Sequence, residues 1–234
     1  MNNELKQQMI KEVSEIFDSR EPNVSEIYPM VREIYLNPYG WPEIDTLRHE
    51  VCLCLIFGLY QAAITLTNHM LESFLKFALS YKHSFDNHLG EIKDGSLKSL
   101  LDFLQPGFEL YDGKDLGYTI NRACRVGLIS KEQKKQLHEF RESFRNAYNH
   151  AEKRKIHENR KIPVQYANLS EGGELTPTPE SVHKIFEMPF LHGLTQCYHA
   201  KANAPSYFLC IDAIVRETMP KLFKNTESTS DAGV

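Results

Sequence analysis

The chain lacks the signatures of several large functional classes. No apolar stretch reaches the roughly eighteen residues of a membrane span without polar interruption; the nearest, Val51 to Leu66, is shorter and carries Gln61 and Thr65. The N-terminus, MNNELKQQMIKEV, has no apolar core of a signal peptide. Both absences point to a cytoplasmic protein that makes no use of a membrane. Cysteine is sparse: Cys52, Cys54, Cys124, Cys197 and Cys210 are odd in number and show no C-x-x-C spacing. That pattern excludes a disulfide framework and a structural zinc site, and leaves buried free thiols as the expectation. Gly-rich phosphate loops of the Walker or dinucleotide type are missing, as are GxSxG and HExxH. His183, His192 and His199 stand too far apart for an i, i+4 metal pair. Neither a metal nor a cofactor is expected.

What remains is the composition of an ordinary globular protein, 41% hydrophobic and 25% charged over 234 residues. Such a chain is long enough for one sizeable domain with an elaboration. A net charge of -4 gives no global sign of a nucleic-acid partner, but the balance is uneven. Between Ser130 and Lys161 ten basic residues face five acidic ones, +5 locally against -9 for the rest. A positive segment on an acidic protein is the footprint of a localised phosphate-binding surface; a solvated helix face is the plainer alternative.

That basic segment also carries the most ordered pattern in the chain, SKEQKKQLHEFRESFRNAYNHAEKRK. Ser130 is a good N-cap and Gln133 stands at the capping-box distance. Leu137, Phe140, Phe144, Ala147, Tyr148 and Ala151 recur at three-and-four spacing, one apolar helical stripe. Wound as an α-helix, the segment puts Asn146 roughly opposite that stripe, with His150 beside it and Arg145 on the other flank. Arg145 and His150 are then roughly 7.5 Å apart along the axis, within reach of one ligand lying across the helix. A forked permanent cation and a group titrating near neutrality are the parts that phosphodiester cleavage needs.

Arg145-Asn146-x-x-x-His150, late in a long helix and preceded by a helix reading GLYQAAITLTNHMLESFLKFAL, resembles the HEPN superfamily of small all-helical domains. The resemblance spans roughly Leu47 to Lys155 and includes the Leu71-Glu72 pair and the lead-in Leu128-Ile129-Ser130. Many members are metal-independent endoribonucleases of toxin-antitoxin, phage-defence and RNA-processing systems. The resemblance therefore implies RNA as substrate, cut by its own 2′-OH to leave a 2′,3′-cyclic phosphate. His150 would act as general base or acid, Arg145 on the non-bridging oxygens, and Asn146 in orientation. Lys153 and Arg154 would contact flanking phosphates, and Glu72 is a supporting acid of second rank. One motif supplies a single His, and in similar proteins two motif helices meet across a two-fold axis, so a homodimer with a composite site is implied. An antitoxin or effector protein is a further possible partner. The alternative of a different class is a non-catalytic HEPN-like dimeric module that binds RNA, a nucleotide or a protein.

The expected fold is all-α: an up-and-down HEPN-like bundle with extra N- and C-terminal helices and a short extended or hairpin insertion. Residues 1–42 form an N-terminal helical arm, with an amphipathic helix from Asn3 to Asp18, a shorter one from Ser25 to Tyr35 and a turn at Asn37-Pro38-Tyr39-Gly40-Trp41-Pro42. Whether the arm is a lid, a dimerisation arm or simple packing stays open. Residues 43–156 are the bundle core, with Gly58 marking a junction or close helix contact, Pro106-Gly107 stopping a short helix, and Gly127 ending another after Asp115 to Val126. Residues 157–223 hold an extended excursion of two short strands, then two helices, Ser181 to Ala200 and Pro205 to Phe223. The tail 224–234 reads as disordered.

Overall fold

One buried helix, α4 (Tyr60–Asp86), is the axis on which the other elements pack. The computed structural model describes residues 3–87, 97–149, 155–156, 160–165, 167–169, 175–177 and 179–223. Ahead of α4 come α1 (Asn3–Asp18), α2 (Glu21–Leu36) and α3 (Pro42–Ile56); after it come α5 (Leu97–Tyr111), α6 (Leu116–Arg125) and α7 (Lys131–Phe140). A π-helical segment, Arg141–Asn149, continues α7 without a break. Four short strands follow, β1 (Lys161–Val164), β2 (Ala167–Leu169), β3 (Leu175–Pro177) and β4 (Ser181–Lys184), and the chain closes with α8 (Pro189–Phe223). The class is all-α with a small antiparallel appendage.

Local chemistry explains most of the boundaries. Pro22 and Pro42 open α2 and α3, where a missing N–H costs nothing. Ahead of α3, the Asp45 carboxylate accepts from the backbone N–H groups of Tyr39, Gly40 and Trp41 at 2.7, 2.9 and 3.1 Å, which turns the chain back onto the helix. Gly58, at φ +72°, divides α3 from α4 in the left-handed conformation that glycine tolerates best. Asp115 accepts from the Tyr118 N–H to cap α6, and Gly127 at φ +79° follows its end. Ser130 and Gln133 form the full capping box expected at the start of α7.

The core is formed by α4 with α3, α5, α6, the π segment and α8. Phe74, Leu75, Ala78 and Leu79 of α4 are essentially sealed from water. Tyr207 of α8 donates to the Asn68 Oδ1 at 2.7 Å in the interior, satisfying a polar pair that would otherwise be costly to bury. The turn before α3 is tied to α8 as well: the Tyr39 hydroxyl donates to Asp212 at 2.6 Å, Arg216 pairs with the same carboxylate at 3.0 Å, and its guanidinium lies over the Tyr39 ring. Burial, helped by Asp212, pushes the Tyr39 phenol far above its usual range. Within 1–42 the two helices differ sharply. Ile27, Val31 and Ile34 of α2 join the common core, while α1 leaves its apolar side chains in solvent.

Three expectations are corrected. Helix α5 runs through Pro106-Gly107 to Tyr111. The absence of a Cβ at Gly107 lets the helix lie against the Ser80 backbone, and continuing it buries Leu104 and Tyr111. Ser181–Lys184 is strand, paired antiparallel with Lys161–Val164, and β2 pairs with β3 inside it, so the excursion is a two-tiered hairpin reaching further than Pro179. Finally, Pro189–Phe223 is one helix of 35 residues with Pro205 in its interior, in place of two helices. Ala204, Tyr207 and Phe208 around that proline are buried, and their packing holds the helix through the break in its hydrogen bonding. The tail from 224 lies outside the described residues. Among the described residues no helix is long and apolar enough to cross a membrane.

Candidate functional site

The segment singled out in the sequence is wound differently from expectation. After ten residues of α-helix the backbone widens at Arg141 and stays π-helical to Asn149. Such winding is rare, and where it occurs it is often at functional positions. An aromatic column anchors it. Phe140 and Phe144 pack against the Tyr207 ring at 4.9 and 4.5 Å, and the Tyr148 hydroxyl bonds the His199 Nδ1 at 2.8 Å. Leu137, Phe144 and Ala147 of the predicted stripe are buried, while Phe140 and Tyr148 are partly covered. Burial drives the Tyr148 phenol well above its ordinary pKa, and Cys197 adds to the effect, so it stays a protonated donor near neutrality.

Two consecutive polar residues leave this segment toward different partners. Arg145 turns to α4, where its Nη2 lies 3.7 Å from the Glu72 carboxylate, both side chains about one quarter exposed. Lys76, one turn along α4, approaches Glu72 from the other side at 3.4 Å. Asn146 turns outward and donates through Nδ2 to the Glu142 carboxylate at 3.0 Å. Glu142 also accepts from Arg141 at 3.0 Å and from Lys155 at 2.5 Å. The Lys155 bond, with those of Arg141 and Asn146, holds the Glu142 carboxyl down at about 2. Gly117 of α6 leaves the room that the Arg141 guanidinium occupies.

Arg145 is thus set against α4, and does not stand on an open helix face. Four cations, Lys76, Arg141, Arg145 and Lys155, share the carboxylates Glu72 and Glu142, and Glu43 and Asp112 line the cavity beside Glu72, so the neighbourhood as a whole is close to neutral. At 3.7 Å the Arg145–Glu72 contact is long for an ion pair, so a phosphate oxygen that reaches the guanidinium competes with a weak partner. Glu72 also borders a cavity of about 340 Å³ with His69, Lys76 and Phe108. Among the described residues no group of three or more His, Cys, Asp or Glu is placed to hold a metal ion.

The structure therefore brings Arg145, Asn146 and Glu72 into one neighbourhood. His150, Lys153 and Arg154 lie outside the described residues. Sequence reasoning passed over Glu142, although a carboxylate four residues before Asn146 is a known helical pairing distance. It also passed over His69, which shares a face with Glu72 at i, i+3, and the Tyr148–His199 contact, which no spacing announces. No family model, curated protein or solved structure matches this chain.

Proposed function

We propose that the protein is a HEPN-type endoribonuclease that cleaves RNA by attack of its 2′-OH on the adjacent phosphorus. The observation that carries this reading is the approach of Arg145 to Glu72 at 3.7 Å. The two residues stand 73 positions apart, on different helices, and packing brings them together. The basic balance of the Ser130–Lys161 segment supports a polyanionic substrate.

In this mechanism the 2′-oxygen forms a bond to phosphorus as its proton leaves to a base, and the bond to the 5′-oxygen breaks as that oxygen takes a proton from an acid. The products carry a 2′,3′-cyclic phosphate and a 5′-OH. His150 exchanges the proton at one of these two positions. Arg145 neutralises the non-bridging oxygens as charge builds on them, the electrostatic part that contributes most in such reactions. Glu72 aligns the guanidinium, and Glu142 holds the Asn146 amide in place. A second copy of the chain supplies the other His, making a composite site of two motif segments. A defence or toxin-antitoxin setting, with an antitoxin or effector as regulator, fits such an activity.

The test is cleavage of a mixed end-labelled RNA pool in EDTA, with product ends resolved. Arg145→Ala is expected to lower the rate by about 10²–10³-fold, and His150→Ala by about 10²–10⁴-fold, with both variants folded. RNA that stays intact with wild type but is retained on a filter in an Arg145-dependent way would replace the enzyme by the non-catalytic RNA-binding module.

A further inference from the structure

Helix α1 has no role in anything described so far. Leu5, Met9, Ile10, Val13, Ile16 and Phe17 are each 48 to 59% exposed along it, an apolar stripe facing water. The stripe covers a little over a third of the helix circumference and includes Lys6 near its N-terminal end; Glu4, Lys11, Glu15 and Asp18 occupy the other side. A stripe this long left uncovered marks an interaction surface.

The body of the same chain does not cover it, because the junction gives no slack. Only Ser19 and Arg20 separate α1 from α2, and their amides bond back to Glu15 and Phe17 at 3.0 and 2.9 Å. The next turn is anchored too: Asn23 donates to the carbonyls of Leu55 and Ile56 at 2.9 and 2.7 Å and accepts from the Tyr60 hydroxyl. At its C-terminal end α1 meets the body through Phe17, edge-on to Phe57 at 5.6 Å. The rest projects.

We propose that α1 is a self-association arm, its stripe packing antiparallel on the same stripe of a second copy of this chain. Six large side chains about half exposed offer roughly 600 Å² per copy, so a pair buries about 1,200 Å², the lower end of the range for stable specific interfaces. Antiparallel pairing sets Leu5 of one copy against Ile16 and Phe17 of the other, and Met9 against Val13, which closes the interface on a two-fold axis. Charge selects the same orientation. The C-terminal half of α1 holds Glu12, Glu15 and Asp18 against Lys11, and a parallel pair would stack these acidic halves. In the antiparallel pair the two acidic halves lie at opposite ends and the helix dipoles oppose. The four acidic and two basic residues of α1 also disfavour a membrane as the occupant, since interfacial helices are rich in Lys and Arg. This inference goes beyond the ribonuclease reading and does not depend on it.

The experiment is sedimentation equilibrium of the full chain from 1 to 100 μM, with light scattering after gel filtration. Wild type is expected at twice the 27.1 kDa chain mass. Met9→Glu with Val13→Glu is expected to weaken the dimer at least 100-fold while the far-ultraviolet spectrum and thermal unfolding of the monomer stay in place. Lys11→Glu changes the charge by the same two units on the opposite face and should leave the dimer intact. Ile16→Glu, at the far end of the stripe, should act like the double variant, so that a folding defect peculiar to one substitution does not decide the result. A wild type that stays a single chain at 100 μM, or a dimer indifferent to both stripe variants, overturns the proposal. Co-sedimentation with phosphatidylcholine vesicles, lost in Met9→Glu with Val13→Glu, overturns it in favour of a lipid surface. A single-chain wild type would remove the composite ribonuclease site as well, whereas a dimer indifferent to both stripe variants overturns this interface alone, and loss of RNA cleavage in Arg145→Ala at unchanged mass concerns the ribonuclease reading alone.

Discussion

Gly107→Ala separates local helix propensity from tertiary packing because the two predict opposite signs. The residue lies inside α5, where replacing Gly by Ala ordinarily stabilises a helix by up to about 1 kcal/mol. Here a Cβ at position 107 would stand 2.5 Å from the Ser80 Cα and 2.6 Å from the Ser80 carbonyl oxygen. Both atoms belong to the buried backbone of α4 and cannot rotate away as a side-chain tip would. The helices must separate by about an ångström to restore ordinary contact, and neighbouring core pairs lose part of their dispersion energy. Overpacking of this kind costs about 1–3 kcal/mol, or more where the obstacle is rigid. Because the obstacle is rigid backbone the clash is taken at the upper end, about 2–3 kcal/mol, and after subtracting the propensity gain the variant is expected to be about 1–2 kcal/mol less stable, a fall in Tm of about 2–8 °C for a chain of this length. Thermal and urea unfolding followed by circular dichroism measure it. The comparison is Gly117→Ala, whose Cβ meets the Arg141 guanidinium tip at 2.0 Å and the Asp115 carboxylate at 3.0 Å, both ends of side chains that can shift where backbone cannot. A Gly107→Ala protein as stable as wild type would refute the close approach of α5 to α4.

Other perturbations test other parts. Tyr207→Phe removes the buried donor to Asn68 and is expected to cost about 1–3 kcal/mol in urea unfolding; a neutral result would mean that the amide finds no penalty there. Glu142, held near 2 by Lys155 first and Arg141 next, contributes stability present above its usual carboxylate pKa and lost as pH falls toward 2. Because this side chain is 47% exposed, solvent screening limits its contribution to about 0.5–1 kcal/mol. The stability gap between wild type and Glu142→Gln should accordingly narrow between about pH 4.5 and 3. Burial pushes the Cys52 thiol up to about 12, whereas Cys197 is exposed. Iodoacetamide at pH 8 should therefore label Cys197 in the native protein and reach Cys52 only after denaturation, as read by peptide mass spectrometry.

The parts of the fold that were legible in the sequence obey rules a few residues long. Ser130 with Gln133, Asp115 ahead of α6, and the glycines at 58 and 127 each act through their own backbone or a neighbour within one turn. The all-α class followed from apolar periodicity; the five thiols are free, but only Cys52 is buried as expected, with Cys54, Cys124 and Cys210 partly covered and Cys197 exposed. At the candidate site, Arg145 and Asn146 were legible as neighbours on one helical segment, while its π winding was not, and His150, Lys153 and Arg154 lie outside the described residues.

What the tertiary structure alone decided is everything set by contacts distant in sequence. Pro106 and Pro205 read as helix ends because proline removes a hydrogen bond, yet both sit inside helices whose neighbouring residues are buried in the core. Ser181–Lys184 became strand because Lys161–Val164 offered it a partner. Helical periodicity could place Arg145 and Asn146 on flanks of a helix but could not assign their partners. Glu72 reached Arg145, and Tyr207 and His199 anchored the aromatic column, through the docking of α4 and α8. Local pattern determined the class, the capped helix start at Ser130 and the helix break at Gly58; burial and pairing shared between distant segments determined how far helices run, where strand replaces helix and which charges meet.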